Sequence, residues 1–308
     1  MKRTDVLLEP ASSGLPVLSS QNSRAIAEIG FGNGEFLIHL AKEERDCLVF
    51  GMEISMTCAE KAIKRALREG VPNVRIIRGD ARFLLRECFE DQSLDKIYMS
   101  FPCPWPKERH SRRRVTHKGF SDTVASVLKV GGEFELATDE EWYAQEVGKV
   151  LGEHPALELV SFDVNKRRKI TTKYERKWLD QGKDTFILVF EKKGKCTVSR
   201  TVEGGLKDMH VAIDGERASF TPLEGGFLNV SDGVGEAHWN LGKVYYNGED
   251  AWLVQAITSD DGYEQKFYLK VVRRGEGALV RIDEASSPYL TPAVRGAVDA
   301  AAACLSRS

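Results

Sequence analysis

The chain has 308 residues, 42% of them hydrophobic and 29% charged, with a formal net charge of -2, the composition of a globular protein with room for two cores. No stretch approaches the roughly 18 continuous apolar residues of a membrane span, and Met1–Arg24 holds only Val6-Leu7-Leu8 as an apolar run, so neither a membrane helix nor a secretion signal is expected. Six cysteines without a CxxC pair argue against a disulfide scaffold, a zinc ribbon or an iron–sulfur cluster, and the expected setting is cytoplasmic.

Residues 1–24, rich in Ser, Pro and Gly, read as a mobile arm. From Ala25 short apolar runs (Ala25–Ile29, Cys47–Glu53, Val74–Arg78, Lys96–Ser100, Gly132–Thr138) alternate with amphipathic stretches (Glu35–Lys42, Thr57–Glu69, Ala81–Phe89, Lys118–Val130, Glu140–Glu153). Strands joined by crossover helices predict an α/β fold with a mostly parallel sheet. Two later runs, Leu157–Phe162 and Thr185–Glu191, are expected to close it as an antiparallel pair. Lys192–Lys195 reads as a linker between domains 25–195 and 196–308. Beyond it the period shifts to two, over Lys207–Ile213, Arg217–Thr221, His238–Tyr246, Ala251–Thr258, Gln265–Val272 and Ala278–Ile282. The helical pattern Pro292–Leu305 ends what reads as a small β-rich domain.

Charge divides along the same line. Residues 1–195 carry 33 Lys and Arg against 30 Asp and Glu, and residues 196–308 carry 11 against 16.

The first strand runs into Glu28-Ile29-Gly30-Phe31-Gly32-Asn33-Gly34. Gly30, Gly32 and Gly34 allow a sharp turn and close approach of a ligand ahead of a helix. Glu53 ends the second strand, where a carboxylate accepts from ribose hydroxyls. Asp80, with Ala81, follows the third, within reach of an adenine edge. Glu28 would repel a pyrophosphate, whereas the ammonium and sulfonium of S-adenosylmethionine favour nearby carboxylates. The fourth strand leads into Ser100-Phe101-Pro102-Cys103-Pro104-Trp105-Pro106, a rigid proline loop, and then the basic residues Lys107, Arg109, Arg112, Arg113 and Arg114. A second cluster, Lys166-Arg167-Arg168-Lys169, precedes Thr171-Thr172-Lys173-Tyr174-Glu175. Two basic clusters with Trp105 and Tyr174 interleaved suit a phosphate grip with aromatic surfaces for a base.

On the stretches EIGFGNG (28–34), GMEIS (51–55), GDA (79–81), FPCPWPKERHSRRR (101–114), ATD (137–139) and TTKYERK (171–177), residues 25–193 resemble the bacterial tRNA (guanine-N7)-methyltransferases. The resemblance implies a Rossmann-like class I methyltransferase fold, S-adenosylmethionine as donor, and N7 of a variable-loop guanosine in tRNA as acceptor. It implies that Glu28, Glu53 and Asp80 hold the donor and that Lys107, Asp139 and Thr172–Glu175, with Tyr174 and Glu175, contact the substrate. No metal is expected, and the oligomeric state stays open.

The family pattern has Asp where this chain has Cys103, at a position the family assigns to catalysis and cofactor contact. Guanine N7 bears a lone pair and no proton at neutral pH, so its methylation needs orientation more than a base. A neutral thiol accepts hydrogen bonds poorly, which predicts slower chemistry. Pro102-Cys103 also resembles the nucleophile of cytosine-C5 methyltransferases, a second reading, and a tRNA-binding protein with weakened catalysis is a third.

The aromatic residues of 196–308, among them Trp239, Trp252 and Tyr268, lie in a negatively charged domain without the footprint that phosphate binding requires. They predict core and cross-strand pairs, with Trp252, Val254 and Ala256 on one buried face. His210 and His238 have no second ligand at metal spacing.

Overall fold

The computed structural model describes residues 1–19, 24–104, 114, 116, 118–168, 171, 173–202, 209–214 and 218–306. They fall into two compact units, Met1–Ser199 and Arg200–Ser308. In chain order the first contains α1 (Arg3–Val6), β1 (Leu7–Leu8), α2 (Pro10–Ser13), β2 (Ala25–Ile29), α3 (Glu35–Glu43), β3 (Leu48–Glu53), α4 (Met56–Glu69), β4 (Val74–Arg78) and α5 (Ala81–Cys88). It continues with β5 (Leu94–Ser100), α6 (Lys118–Val127), β6 (Leu128–Thr138), α7 (Glu141–Gly152), β7 (Leu157–Val164), α8 (Lys173–Asp180) and β8 (Phe186–Lys192).

Its strands make one sheet in the order β1-β4-β3-β2-β5-β6-β8-β7. The strands from β1 through β6 pair in parallel, and β8 runs antiparallel between β6 and β7. β2 is buried along its whole length, as a central parallel strand covered on both faces must be. It pairs with β3 on one side and β5 on the other, so the strand order reverses beside it. Ligands of open α/β sheets bind in the crevice such a reversal leaves at the carboxyl ends of the strands.

The helices start and stop on local chemistry. Ser55 caps α4 by accepting from the Cys58 N–H at 3.4 Å, and α4 ends at Gly70 with φ 64. Asp80 caps α5. At Gly34 a Cβ would lie 2.5 Å from that of Ala62, so glycine lets the start of α3 press against α4.

Three expectations are corrected here. Part of the stretch read as a mobile arm is folded: Leu7 and Leu8 add to the open edge of β4 opposite Ile76 and Ile77, and Val6 and Leu18 are buried. An apolar run too short to show a period still gains by covering a sheet edge. Lys192 is no linker residue. It ends β8 with its ammonium buried, donating to the carbonyls of Ser126 at 3.1 Å and Leu128 at 2.6 Å, where it satisfies the end of α6. The helix expected to reach Val130 stops at Val127, because β6 begins at Leu128.

The second unit contains β9 (His210–Ile213), α9 (Thr221–Glu224), β10 (Phe227–Val234), β11 (Ala237–Tyr246), β12 (Ala251–Asp260), β13 (Tyr263–Arg274), β14 (Gly277–Ile282) and α10 (Pro292–Leu305). Its antiparallel sheet has the order β10-β11-β12-β13-β14-β9. α10 packs Val294, Ala297, Val298, Ala301 and Leu305 into a core with Leu241, Val254, Leu269 and Val280. Trp252, Val254 and Ala256 are all buried, and Trp252 stacks on Phe220 at 5.0 Å. Of the expected strand Arg217–Thr221, Arg217 lies outside the described residues and the rest forms none: Ala218 makes an isolated bridge to Ser306 and a short helix starts at Thr221. The strand β10 was not among the expected strands; it carries Asn229, Asp232 and Gly233 and lies at the edge of the sheet, with Asn229 in the left-handed region.

Candidate active site

Five parallel strands end on one edge of the first sheet, and four of the predicted site segments follow directly from them. Across the sheet the order is Asp80 after β4, Glu53 ending β3, the glycine loop after β2, Cys103 after β5 and Asp139 after β6. Main-chain bonds tie neighbouring ends together. The Gly30 N–H donates to the Met52 carbonyl at 2.8 Å, that of Gly79 to the Glu53 carbonyl at 3.0 Å, and that of Phe101 to the Ala137 carbonyl at 2.7 Å.

In the loop, Gly30 (φ 69) and Gly32 (φ 54) occupy the left-handed region, and a Cβ at either would meet nothing within 4 Å. The backbone is thus bare toward open space, which is what close approach of a ligand needs. Glu53 spans the rim of that space. Its Oε2 accepts from the Gly32 N–H at 3.0 Å and its Oε1 from the Ser55 N–H at 2.9 Å, and each oxygen keeps a lone pair for a further donor.

Glu28 lies on β2 between Gly51 and Tyr98 of its neighbours, 2% exposed. Its Oε2 is buried with no partner among the described residues. Burial pushes its carboxyl up to about 8, the nearby Arg168 pulls it down, and Glu53 adds a smaller push upward. A buried acceptor without a donor is costly, and a cation or hydrogen-bond donor brought against it would remove that cost. The donor set therefore fits a ligand with positive charge and vicinal hydroxyls.

Asp80 accepts from the Arg82 N–H at 2.9 Å, and the Arg82 guanidinium reaches back to its Oδ1 at 3.0 Å and Oδ2 at 2.5 Å. Cys103 is exposed. It stands two residues beyond Phe101, a non-glycine residue held at φ 52, and such strained positions gather where a loop must be aimed. Asp139 pairs with the Lys183 ammonium at 3.3 Å, which also sits 3.9 Å from the Trp178 ring.

Two of the predicted phosphate contacts are placed otherwise. Arg114 is largely buried, with Nη1 at 3.3 Å from both Glu146 oxygens and its guanidinium over Trp142. Arg168 is buried with Glu175: Nε and Nη2 donate to Glu175 Oε2 at 3.0 and 2.7 Å. Both arginines face carboxylates that sequence order had not linked to them. Glu175 is itself 2% exposed, so its carboxylate holds Arg168 rather than a solvent-facing ligand. Lys107, Arg109, Arg112, Arg113 and Thr172, and the side chain of Tyr174, lie outside the described residues. The sequence reading placed Arg168 at this edge in another role and missed Lys183 and Trp178; a carboxylate seven positions after Arg168 was the one signal of its pairing.

A family model described as "Putative methyltransferase" matches residues 22–188. The chain is 39% identical over 278 residues to the tRNA (guanine-N(7)-)-methyltransferase of Thermotoga maritima, covering 89% of this chain and 87% of that protein. The proteins of the same name from Aquifex aeolicus and Thermus thermophilus are 33% and 30% identical, over 85% and 89% of this chain and 86% of each relative. An alignment of 278 residues outruns the 199 of the first unit, so the likeness extends past the stretch that carries the motifs into the second unit. The chain belongs to the tRNA (guanine-N7)-methyltransferase family.

Proposed function

We propose that this protein transfers the methyl group of S-adenosylmethionine to N7 of a guanosine in tRNA, in the variable loop as the family resemblance implies. The observation that carries the reading is that neighbouring strands bring to one sheet edge the orphaned carboxyl of Glu28, the bare glycine loop and the doubly anchored Glu53. When bound, S-adenosylmethionine supplies an electrophilic methyl on a cationic sulfur, which leaves as a neutral thioether.

The chain's part is orientation and charge. Glu28 and the loop Gly30–Gly34 receive the methionine end, Glu53 the ribose hydroxyls, and Asp80 with Ala81 the adenine side. N7 attacks with its own lone pair, so no side chain has to remove a proton from it; in-line alignment is what lowers the barrier. Cys103, on the loop aimed by Phe101, stands where the methyl passes. Asp139, held by Lys183, and the α8 segment face the guanosine. Lys107, Arg109, Arg112 and Arg113 neutralise backbone phosphates, with Lys166 and Arg167 in the exposed part of the second cluster.

A tritium-methyl assay on total tRNA, with the labelled nucleoside identified by mass spectrometry, tests this. N7-methylguanosine is the expected product. 5-Methylcytidine transfers the chemistry to Cys103 as nucleophile, and a protein that binds tRNA and donor without labelling leaves only the binding role.

A further inference from the structure

We propose that Arg168 is a positioning residue that ties the donor pocket to the tRNA-facing segment, one guanidinium holding Glu175 of α8, the Ser100 end of β5 and the turn at Phe101. The proposal rests on the functional reading above and assigns this arginine a task that a phosphate-binding cluster would not give it.

The geometry is that of a hub. Nε and Nη2 converge on Glu175 Oε2, while Nη1 donates to Ser100 Oγ at 2.9 Å and lies 3.5 Å from Glu135 Oε1 on β6. The plane of the guanidinium lies near two rings, 5.3 Å from the centroid of Phe36 on α3 and 5.8 Å from that of Phe101. Phe36 begins the helix that the glycine loop leads into, and Phe101 begins the loop that carries Cys103. One planar cation thus meets the first turn of α3, the end of β5, Glu135 within β6, and α8. Only a fork of fixed donors spans such a set; the single ammonium of lysine reaches one or two of the partners.

Burial makes the arrangement specific. The Arg168 side chain is 9% exposed and that of Glu175 3%, so neither is open to a phosphate, and breaking the pair takes from a buried carboxylate the guanidinium on its Oε2. Left-handed Phe101 has two restraints, its N–H on the Ala137 carbonyl and its ring near Arg168. Loss of the guanidinium removes one of them, and the aim of Pro102-Cys103 with it.

The same cation acts on Glu28 through space. The charged and titratable groups around Glu28 are Arg168 and Glu53, with Tyr98 one strand over and, against Tyr98, Lys96 and Glu135. Arg168 is the one that favours the ionised carboxylate most. Its charge therefore lowers the pH at which Glu28 ionises, against the larger upward push of burial, and its fork sets the position of the tRNA-facing side. Those two properties separate on substitution. Lysine keeps the charge and loses the fork; methionine loses both.

The experiment compares the parent with Arg168→Lys, Arg168→Met and the exposed neighbour Arg167→Met. Donor affinity is followed by calorimetry from pH 6 to 9, and kcat and KM for tRNA are measured at a temperature where every variant is folded by circular dichroism. Arg168→Met is expected to move the midpoint of pH-dependent donor binding up by about one unit and to lower kcat/KM for tRNA about a hundredfold. Arg168→Lys is expected to keep the midpoint and still lose about tenfold in kcat/KM. Arg167→Met is expected to leave the midpoint in place. If Arg168→Met does not fold, the pair Arg168→Met with Glu175→Gln, which removes both buried charges, is read in its place with the same expectations. Parental values of the midpoint and kcat/KM in folded Arg168→Met, or equal midpoint shifts in the lysine and methionine variants, overturn the proposal. A parent that fails to methylate tRNA overturns the functional reading instead.

Discussion

The main-chain N–H of Gly32 donates to Glu53 Oε2 at 3.0 Å, which joins the loop after β2 to the end of β3. Glu53 takes a second main-chain N–H, from Ser55, on its other oxygen. It therefore holds the main chain of the glycine loop and that of the turn before α4 on its two oxygens.

Glu53→Ala is expected to weaken donor binding about a hundredfold, since a charged acceptor for ligand and main chain is worth roughly 1.5–3 kcal/mol. Glu53→Gln, which keeps one acceptor oxygen, is expected to fall about midway. Calorimetric titration with S-adenosylhomocysteine measures both, and parental affinity in Glu53→Ala would remove this residue from the pocket.

Glu28 gives a prediction of opposite sign for stability and for binding. Its carboxyl titrates near 8 in the folded chain instead of its ordinary 4.5. The stability that belongs to its protonated form is complete below pH 4.5 and is lost as pH rises through 8, at about 1.4 kcal/mol per pH unit inside that window. Glu28→Gln escapes the loss. It is expected to melt with the parent near pH 4.5 and well above it at pH 8, a gap on the order of 4 kcal/mol. The same variant is expected to bind the cationic donor more weakly. Thermal melts at the two pH values check the first half, and a pH-independent difference would mean that the carboxyl is ionised throughout.

What was legible in the sequence follows from what is local. β2, the glycine loop and the Glu53 strand end are each written in a few consecutive residues, and parallel topology then places their ends on one edge without further information. The same holds for Ser55 and Asp80, whose caps are formed within their own helices. Arg168 is different. Its partners Ser100, Glu135 and Phe36 come from three elements far away in the chain, so a run of four basic residues reads as part of a phosphate grip while Arg168 is turned to protein partners. Arg114 and Lys192 repeat the lesson: each cation is sited by a carboxylate or by carbonyls that only tertiary structure brings near. The left-handed turn at Phe101 has no residue signature at all, because the hydrogen bond to Ala137 imposes it from the neighbouring strand.

Cys103 offers a gain of function. It is exposed, so a carboxylate there meets no burial penalty, and Cys103→Asp is expected to leave the melting temperature within about a degree of the parent. An acidic acceptor beside the methyl path orients its neighbours better than a neutral thiol. Turnover of Cys103→Asp on tRNA is expected to rise about tenfold under single-turnover conditions. A variant no faster than the parent would show that the thiol is no handicap here.

Salt dependence separates arginines that hold the fold from those that meet RNA. Arg114 is largely buried between Glu146 and the Trp142 ring, and Thr116 donates to Glu146 at 2.7 Å beside it. Arg114→Ala removes a packed stem and leaves Glu146 half-buried without its cation, which is expected to cost about 1–3 kcal/mol of stability. It is not expected to change the slope of log affinity for tRNA against log salt concentration. Arg112→Ala and Arg113→Ala are expected to do the reverse, each lowering that slope by nearly one while leaving the melting temperature in place. Filter binding of tRNA between 50 and 300 mM salt (about one Debye-length halving), together with melts of the three variants, decides the assignment. A reduced slope in Arg114→Ala would put its guanidinium on a phosphate and require the Glu146 pair to open when tRNA binds.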